Sequence, residues 1–225
     1  MATAPLLFPS KLQDQLGWRQ TIEAEGLPVG IPAFDTILGG CPRGRITEVI
    51  GAPSSGRTSL VHRVLAAAAE RGEYCAVVDT SNAFDPWTAS QAGADLDALV
   101  WVQCGHNVEH AMKSADLLLH SGGFGVVILD LCDVTAVQTR RIPLSWWYRF
   151  QRAVEKSPAV LLILGREAHA KSCSTLTVEV QKEERPFEGA FPYQLMKAAR
   201  YRVMPRKPRV EGAGAFTASP LWGKL

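Results

Sequence analysis

The sequence predicts an α/β fold, a mostly parallel sheet with helices on both faces. Three observations lead there. Apolar segments of strand length alternate with helix-length segments between residues 45 and 164, the order that builds a parallel sheet. A glycine-rich turn, Gly51-Ala-Pro-Ser-Ser-Gly-Arg-Thr58, joins one such strand to the helix after it. The run FGVVILDL at 124–131 is apolar at nearly every position, as a strand covered on both faces must be.

In chain order, RITEVIG at 45–51 reads as the first strand, and the Ala- and Leu-rich 58–71 as a helix stopped by Gly72. YCAVVD at 74–79 is a short apolar strand ending in a carboxylate. A short helix over 86–93, a strand over 99–103 and a helix over 108–120 follow. After the 124–131 strand come a helix at 145–156 and a buried strand, AVLLIL, at 159–164. Residues 176–181 and 199–205 alternate in strand fashion and read as antiparallel additions at a sheet edge. Right-handed crossovers then bring Gly51, Asp79 and Asp130 to one carboxyl edge, where such folds bind ligands.

At 225 residues, 47% hydrophobic and 20% charged, the chain can bury a core and is neither disordered nor fibrous. No apolar run approaches the roughly 18–20 residues of a membrane span, and no secretory signal is legible at 1–7. The expected location is cytoplasmic, with no membrane partner. Five scattered cysteines fit reduced, buried thiols. The spacing Cys104-x-His106-x₃-His110 lacks a fourth zinc ligand and reads as packing. The formal charge of +2 hides an uneven distribution: residues 72–133 carry nine acids and one base, whereas 195–225 carry seven bases and one acid.

Gly51 to Thr58 matches a phosphate-binding loop except that Arg57 stands where lysine is usual. Glycines let successive N–H groups turn toward phosphate oxygens, and the helix N-terminus adds its positive end. The expected nucleotide-binding residues are Gly51, Ser54, Ser55, Gly56, Arg57, Thr58, Ser59 and Asp130, with Thr58 and Asp130 holding Mg2+ if ATP binds. Arginine keeps the charge but is planar and reaches differently, so binding is expected to survive better than catalysis.

The run from Gly39 to Thr58, then Ala76-Val-Val-Asp79, Asn82-Ala-Phe-Asp-Pro86, residues 92–99 and Ser121-Gly-Gly-Phe-Gly-Val-Val-Ile-Leu-Asp130, resembles bacterial RecA recombinase in content and order. The likeness extends over about 27–207. It implies a RecA-like P-loop core that binds ATP and single-stranded DNA and self-associates. It also implies DNA-binding loops at 132–144 and 167–174, both abbreviated here. Three matching positions depart from the family: Ser81 replaces the water-activating glutamate, Thr88 beside Trp87 replaces the adenine-stacking tyrosine, and Gly165-Arg166 replace the Asn-Gln phosphate sensor. Together with Arg57 these departures imply little ATP turnover.

A degenerate core of this length resembles the ImuA-type accessory proteins of the SOS response. These work in damage-induced translesion synthesis beside a Y-family-polymerase-like protein and an error-prone DNA polymerase. Two alternatives stand: an active DNA-dependent ATPase or recombinase using Arg57 with Asp79 or Glu48, and a partner-binding scaffold with a vestigial nucleotide pocket.

The expected nucleic-acid contacts are Arg140, Arg141, Arg166, Arg200, Arg202, Arg206 and Lys207; the alternation of 199–207 projects Arg200, Arg202 and Arg206 from one face. The segment Trp146-Trp-Tyr-Arg149 with Arg152 has two readings, a single-strand contact or packing into the core or a protein partner, and the second is preferred because no loop glycine accompanies the rings. The expected organisation is an N-terminal docking segment at 1–26 with a helix over 10–25, a core domain at 27–207, and a flexible tail at 208–225 with Trp222 near its end.

Overall fold

The computed structural model describes residues 26–184, 187–188, 195–196, 199–208 and 214–218. The expected 10–25 helix and the Trp222 end lie outside them. In order, the elements are α1 (Pro32–Leu38), β1 (Arg45–Ile50), α2 (Arg57–Glu70), β2 (Tyr74–Asp79), α3 (Pro86–Gln91), β3 (Leu99–Gln103), α4 (Val108–Ser121), β4 (Phe124–Asp130), α5 (Ala136–Arg140), α6 (Leu144–Val154) and β5 (Val160–Gly165). A 3₁₀ turn (Lys171–Cys173) leads to β6 (Ser174–Glu184), β7 (Phe187–Glu188), β8 (Leu195–Met196), β9 (Ala199–Lys207) and β10 (Gly214–Ala218).

Eight strands form one sheet in the order β10-β9-β6-β1-β5-β4-β2-β3. Neighbours from β6 through β1, β5, β4 and β2 to β3 pair in parallel, and β9 and β10 add antiparallel at one edge. The α/β reading with antiparallel edge strands therefore holds, with one correction. β6 was expected as an antiparallel addition, but it runs parallel to β1 and only its other side pairs antiparallel, with β9. A second difference concerns the expected tail: β10 lies within 208–225, paired with β9, and Thr217 O accepts from Arg63 Nη2 at 3.2 Å.

Successive strand residues face opposite layers. Val126, Ile128, Val160, Leu162 and Leu164 pack with Leu60, Val64 and Leu65 of α2. Val127, Leu129, Leu161 and Ile163 pack with Met112 and Ala115 of α4 and with Trp147 and Phe150 of α6. Each such large side chain, fully buried, contributes roughly 1.5–3 kcal/mol. Helix starts follow local chemistry: Asp85 caps α3 with Pro86 in its first turn, Asn107 caps α4, and Thr135 with Gln138 forms a capping box on α5. Among the described residues no helix is long and apolar enough to cross a membrane.

Candidate functional site

The strand register sets the ends of β1, β5, β4 and β2 side by side: Ile50 lies beside Gly165, Leu164 beside Asp130, and Asp130 beside Asp79. Residues 51–56 turn from β1 into α2 at this edge. Ser54 and Gly56 both have positive φ, 58° and 102°, which curls the loop over the α2 N-terminus. Gly56 has no room for a side chain, since a Cβ there would sit 2.5 Å from the Tyr201 ring; one on Gly51 would sit 2.5 Å from Val180 O. Ser54 and Thr58 are exposed and Ser59 half-buried, while Ser55 is buried with an Oγ that finds no partner. Backbone amides and a helix end arranged in this way can hold a phosphate, and the orphaned Ser55 hydroxyl fits a polar ligand.

Arg57 does something else. Its side chain is buried, 8% exposed, and Nη1 donates to Gly165 O at 2.7 Å. The residue in place of the loop lysine therefore ties the start of α2 to the end of β5, at the position where the phosphate sensor would stand. Arg166 ties the loops after β4 and β5, donating from Nε to Cys132 O at 3.0 Å, with Nη2 3.7 Å from Asp133 Oδ1.

The carboxylates of this edge are also engaged. Asp79, fully buried, accepts from the backbone N–H groups of Ser81, Ala83 and Phe84 at 2.8–3.2 Å and from Trp101 Nε1 at 3.2 Å. It fixes the 80–84 loop. Glu48, 1% exposed, accepts from His169 N at 2.6 Å, Ala170 N at 2.8 Å and Thr177 Oγ1 at 3.3 Å, and so clamps the segment after β5. Asp130 Oδ1 accepts from Cys132 N at 2.8 Å; burial raises its carboxyl above the ordinary carboxylate range, and nearby Asp79 adds to this while Arg57 opposes it. Asp130 thus lies next to the loop, beside a cation already held elsewhere. Thr88 Oγ1 bonds to Asp85, and Trp87 is 65% exposed.

The β9 residues are placed as their alternation predicts, with Arg200, Arg202 and Arg206 all exposed. They are not free. Arg200 and Arg202 pair with Glu183 of β6, and Arg206 reaches Glu179 Oε2 at 2.6 Å. Lys207 Nζ donates to the carbonyls of Lys171, Ser172 and Ser174. Arg140 and Arg141 are exposed at the end of α5, near the carboxyl edge. In the aromatic segment Trp147 and Phe150 are buried, with ring centroids 5.9 Å apart, so packing accounts for that half of the motif. No group of His, Cys, Asp and Glu among the described residues could hold a metal on its own, the Cys104–His110 segment included.

Sequence reasoning missed the internal use of Arg57, Glu48 and Asp79. Loss of the loop lysine and the sensor together was the available signal, because one replacement now contacts the other.

The family model described as the RecA N-terminal domain matches residues 11–141. Protein RecA of Cutibacterium acnes is 38% identical over 118 residues, covering 52% of this chain and 34% of that protein. Protein RecA of Fusobacterium nucleatum is 37% identical over 132 residues, covering 58% and 35%. The matches therefore span about a third of the length of these relatives. The crystal structure of the RadB recombinase shares the fold, with a TM-score of 0.62 at 17% identity over 85% of this chain and 94% of that one.

Proposed function

This chain belongs to the RecA family, and on that premise we propose that it is a DNA recombination and repair protein that binds single-stranded DNA and magnesium nucleotide but turns ATP over little. The observation that carries this reading is the Arg57–Gly165 bond: the cation expected on the transferred phosphate is held by a backbone carbonyl. Glu48 and Asp79, the carboxylates left to serve as a base once Ser81 replaces the glutamate, are saturated by backbone N–H groups. Activation of water needs a base within reach of it.

In this reading the backbone of 54–58 would cradle the phosphates, and Thr58 and Asp130 would hold a magnesium ion that would supply charge neutralisation. The finer role is that of an ImuA-type accessory in translesion synthesis, working beside a Y-family-polymerase-like protein and an error-prone polymerase. The edge strand β3, with Val100 and Trp101 exposed, supports self-association.

Steady-state ATP hydrolysis, with and without single-stranded DNA, tests the reading. We expect no DNA-stimulated turnover; a rate of about 1 per minute or more sinks it. Calorimetry should find magnesium-nucleotide binding that Thr58→Ala and Asp130→Ala weaken. Absence of binding in the parent chain removes the nucleotide from the proposal.

A further inference from the structure

Arg57, Glu48 and Asp79 at the carboxyl edge and the arginines of β9 are engaged within the fold, but one surface of the opposite helical layer is different. Between α4 and α6 lies an open cavity of about 530 Å³ lined by His120, Ser145, Tyr148, Arg149, Arg152 and Lys156. We propose that this groove is a binding track for single-stranded DNA, with backbone phosphates on Arg152 and Lys156 and a base stacked on Tyr148. The proposal rests on the reading that the chain binds such DNA, and it moves the contact away from β9.

The sequence of α6 creates the surface. Trp147, Phe150, Ala153 and Val154 face the core, so Ser145, Tyr148 and Arg152, three and four residues apart, form one outward row about 10 Å long, which Lys156 continues. The basic residues of the groove differ in their state. Arg149 is held by Asp116 of α4 through two bonds of 2.5 Å, with its guanidinium 5.8 Å from the Trp146 ring centroid. This pair fixes the distance between the helices and is neutral. His120 is set by Nδ1 at 2.8 Å from Asp116 O.

Arg152 and Lys156 are exposed and make no ion pair or side-chain hydrogen bond among the described residues. Glu155, which stands between them in sequence, is drawn off by Arg45 and Gln151. The groove therefore presents two unpaired cations and an aromatic ring that is half exposed.

That combination decides the occupant. Cations spaced along a groove follow a phosphate backbone, and a ring beside them offers a face to any base. An acidic peptide would use the cations and leave Tyr148 idle, and the lining of the groove holds no aliphatic side chain larger than Ala153 to anchor a protein partner.

The test is fluorescence anisotropy of labelled oligothymidylate with the full chain over a salt series. The double variant R152E/K156E should lose at least tenfold in affinity. Its log-affinity against log-salt slope should shrink by about 1.4, two phosphate contacts at about 0.7 each. Tyr148→Ala should lose about fivefold with the slope unchanged, and R200E/R206E should change affinity less than threefold. All these residues are exposed, and urea midpoints equal to the parent's confirm that the variants fold.

Parent-level affinity in R152E/K156E overturns the groove and leaves the single-strand reading intact. Absence of binding by the parent at low salt overturns both. A glutamate-rich peptide that binds the parent more tightly than the oligonucleotide, and is lost in R152E/K156E, makes the groove a protein-docking surface and overturns the proposal.

Discussion

At the carboxyl edge of the parallel strands the buried ionic groups are consumed inside the molecule, whereas on the outer face of α6 exposed cations are left over. Arg57, Glu48 and Asp79 read in sequence as catalytic candidates, yet each is bonded to backbone groups of a neighbouring loop or strand. Arg152 and Lys156 are exposed and remain unpaired among the described residues. Charge in a sequence thus counts the cations available, and the fold decides which of them face a ligand.

The largest expected effect separates the two sides of α6. Trp147→Ala removes a fully buried ring and should cost about 3–5 kcal/mol, while Tyr148→Ala should stay within about 0.5 kcal/mol. Equal urea midpoints for the two would erase the division between an inner and an outer face.

Next comes the clamp after β5. Glu48→Gln keeps the shape but weakens acceptance from His169 N and Ala170 N, with an expected cost of about 2 kcal/mol, read in the same denaturation experiment. No loss would mean that the 166–170 segment is held by other contacts.

Arg57→Lys should cost about 1 kcal/mol through loss of the Gly165 bond, and it should tighten magnesium-nucleotide binding in a fluorescence titration, because a lysine there is free to follow a phosphate. Weaker binding would show that Arg57 leaves Gly165 for the nucleotide.

The smallest effect is in pH. Burial holds the His62 and His169 imidazoles below the ordinary 6.5. The unfolded chain then takes up protons first as pH falls below 6.5, so stability declines through that window. The raised Asp130 carboxyl acts in the opposite sense, from its ordinary 3.8 upward. Comparing urea midpoints at pH 7.5 and 5.5, His62→Leu should flatten the decline; an unchanged slope would show that His62 is protonated in the fold.

Much of this fold is legible in local pattern. β2 and β3 fall where their apolar runs begin and end, and α2 ends before Gly72, because those signals are carried by adjacent residues. The direction of β6 is not legible, since alternation is the same for parallel and antiparallel strands. α1 and α5 are short, marked only by Pro32 and by the Thr135–Gln138 box. At the site, the loop glycines and Asp130 are readable from spacing. The partners of Arg57, Arg200, Arg202 and Arg206 are not, because each depends on a register between segments far apart in the chain. The pairing of β6 with β9 puts Glu179 and Glu183 against the arginines, and no local pattern contains that.

The place of β1 in the sheet also bears on how the molecule comes into being. It is the earliest strand of the eight to leave the ribosome, yet both of its neighbours, β5 and β6, are made after more than a hundred further residues, as the pairing of Arg45 with Val160 shows. Its two hydrogen-bonding edges therefore wait through most of synthesis without a partner. Closure over such sequence distance slows folding, so the nascent chain is exposed to aggregation for longest at the strand that carries the phosphate loop.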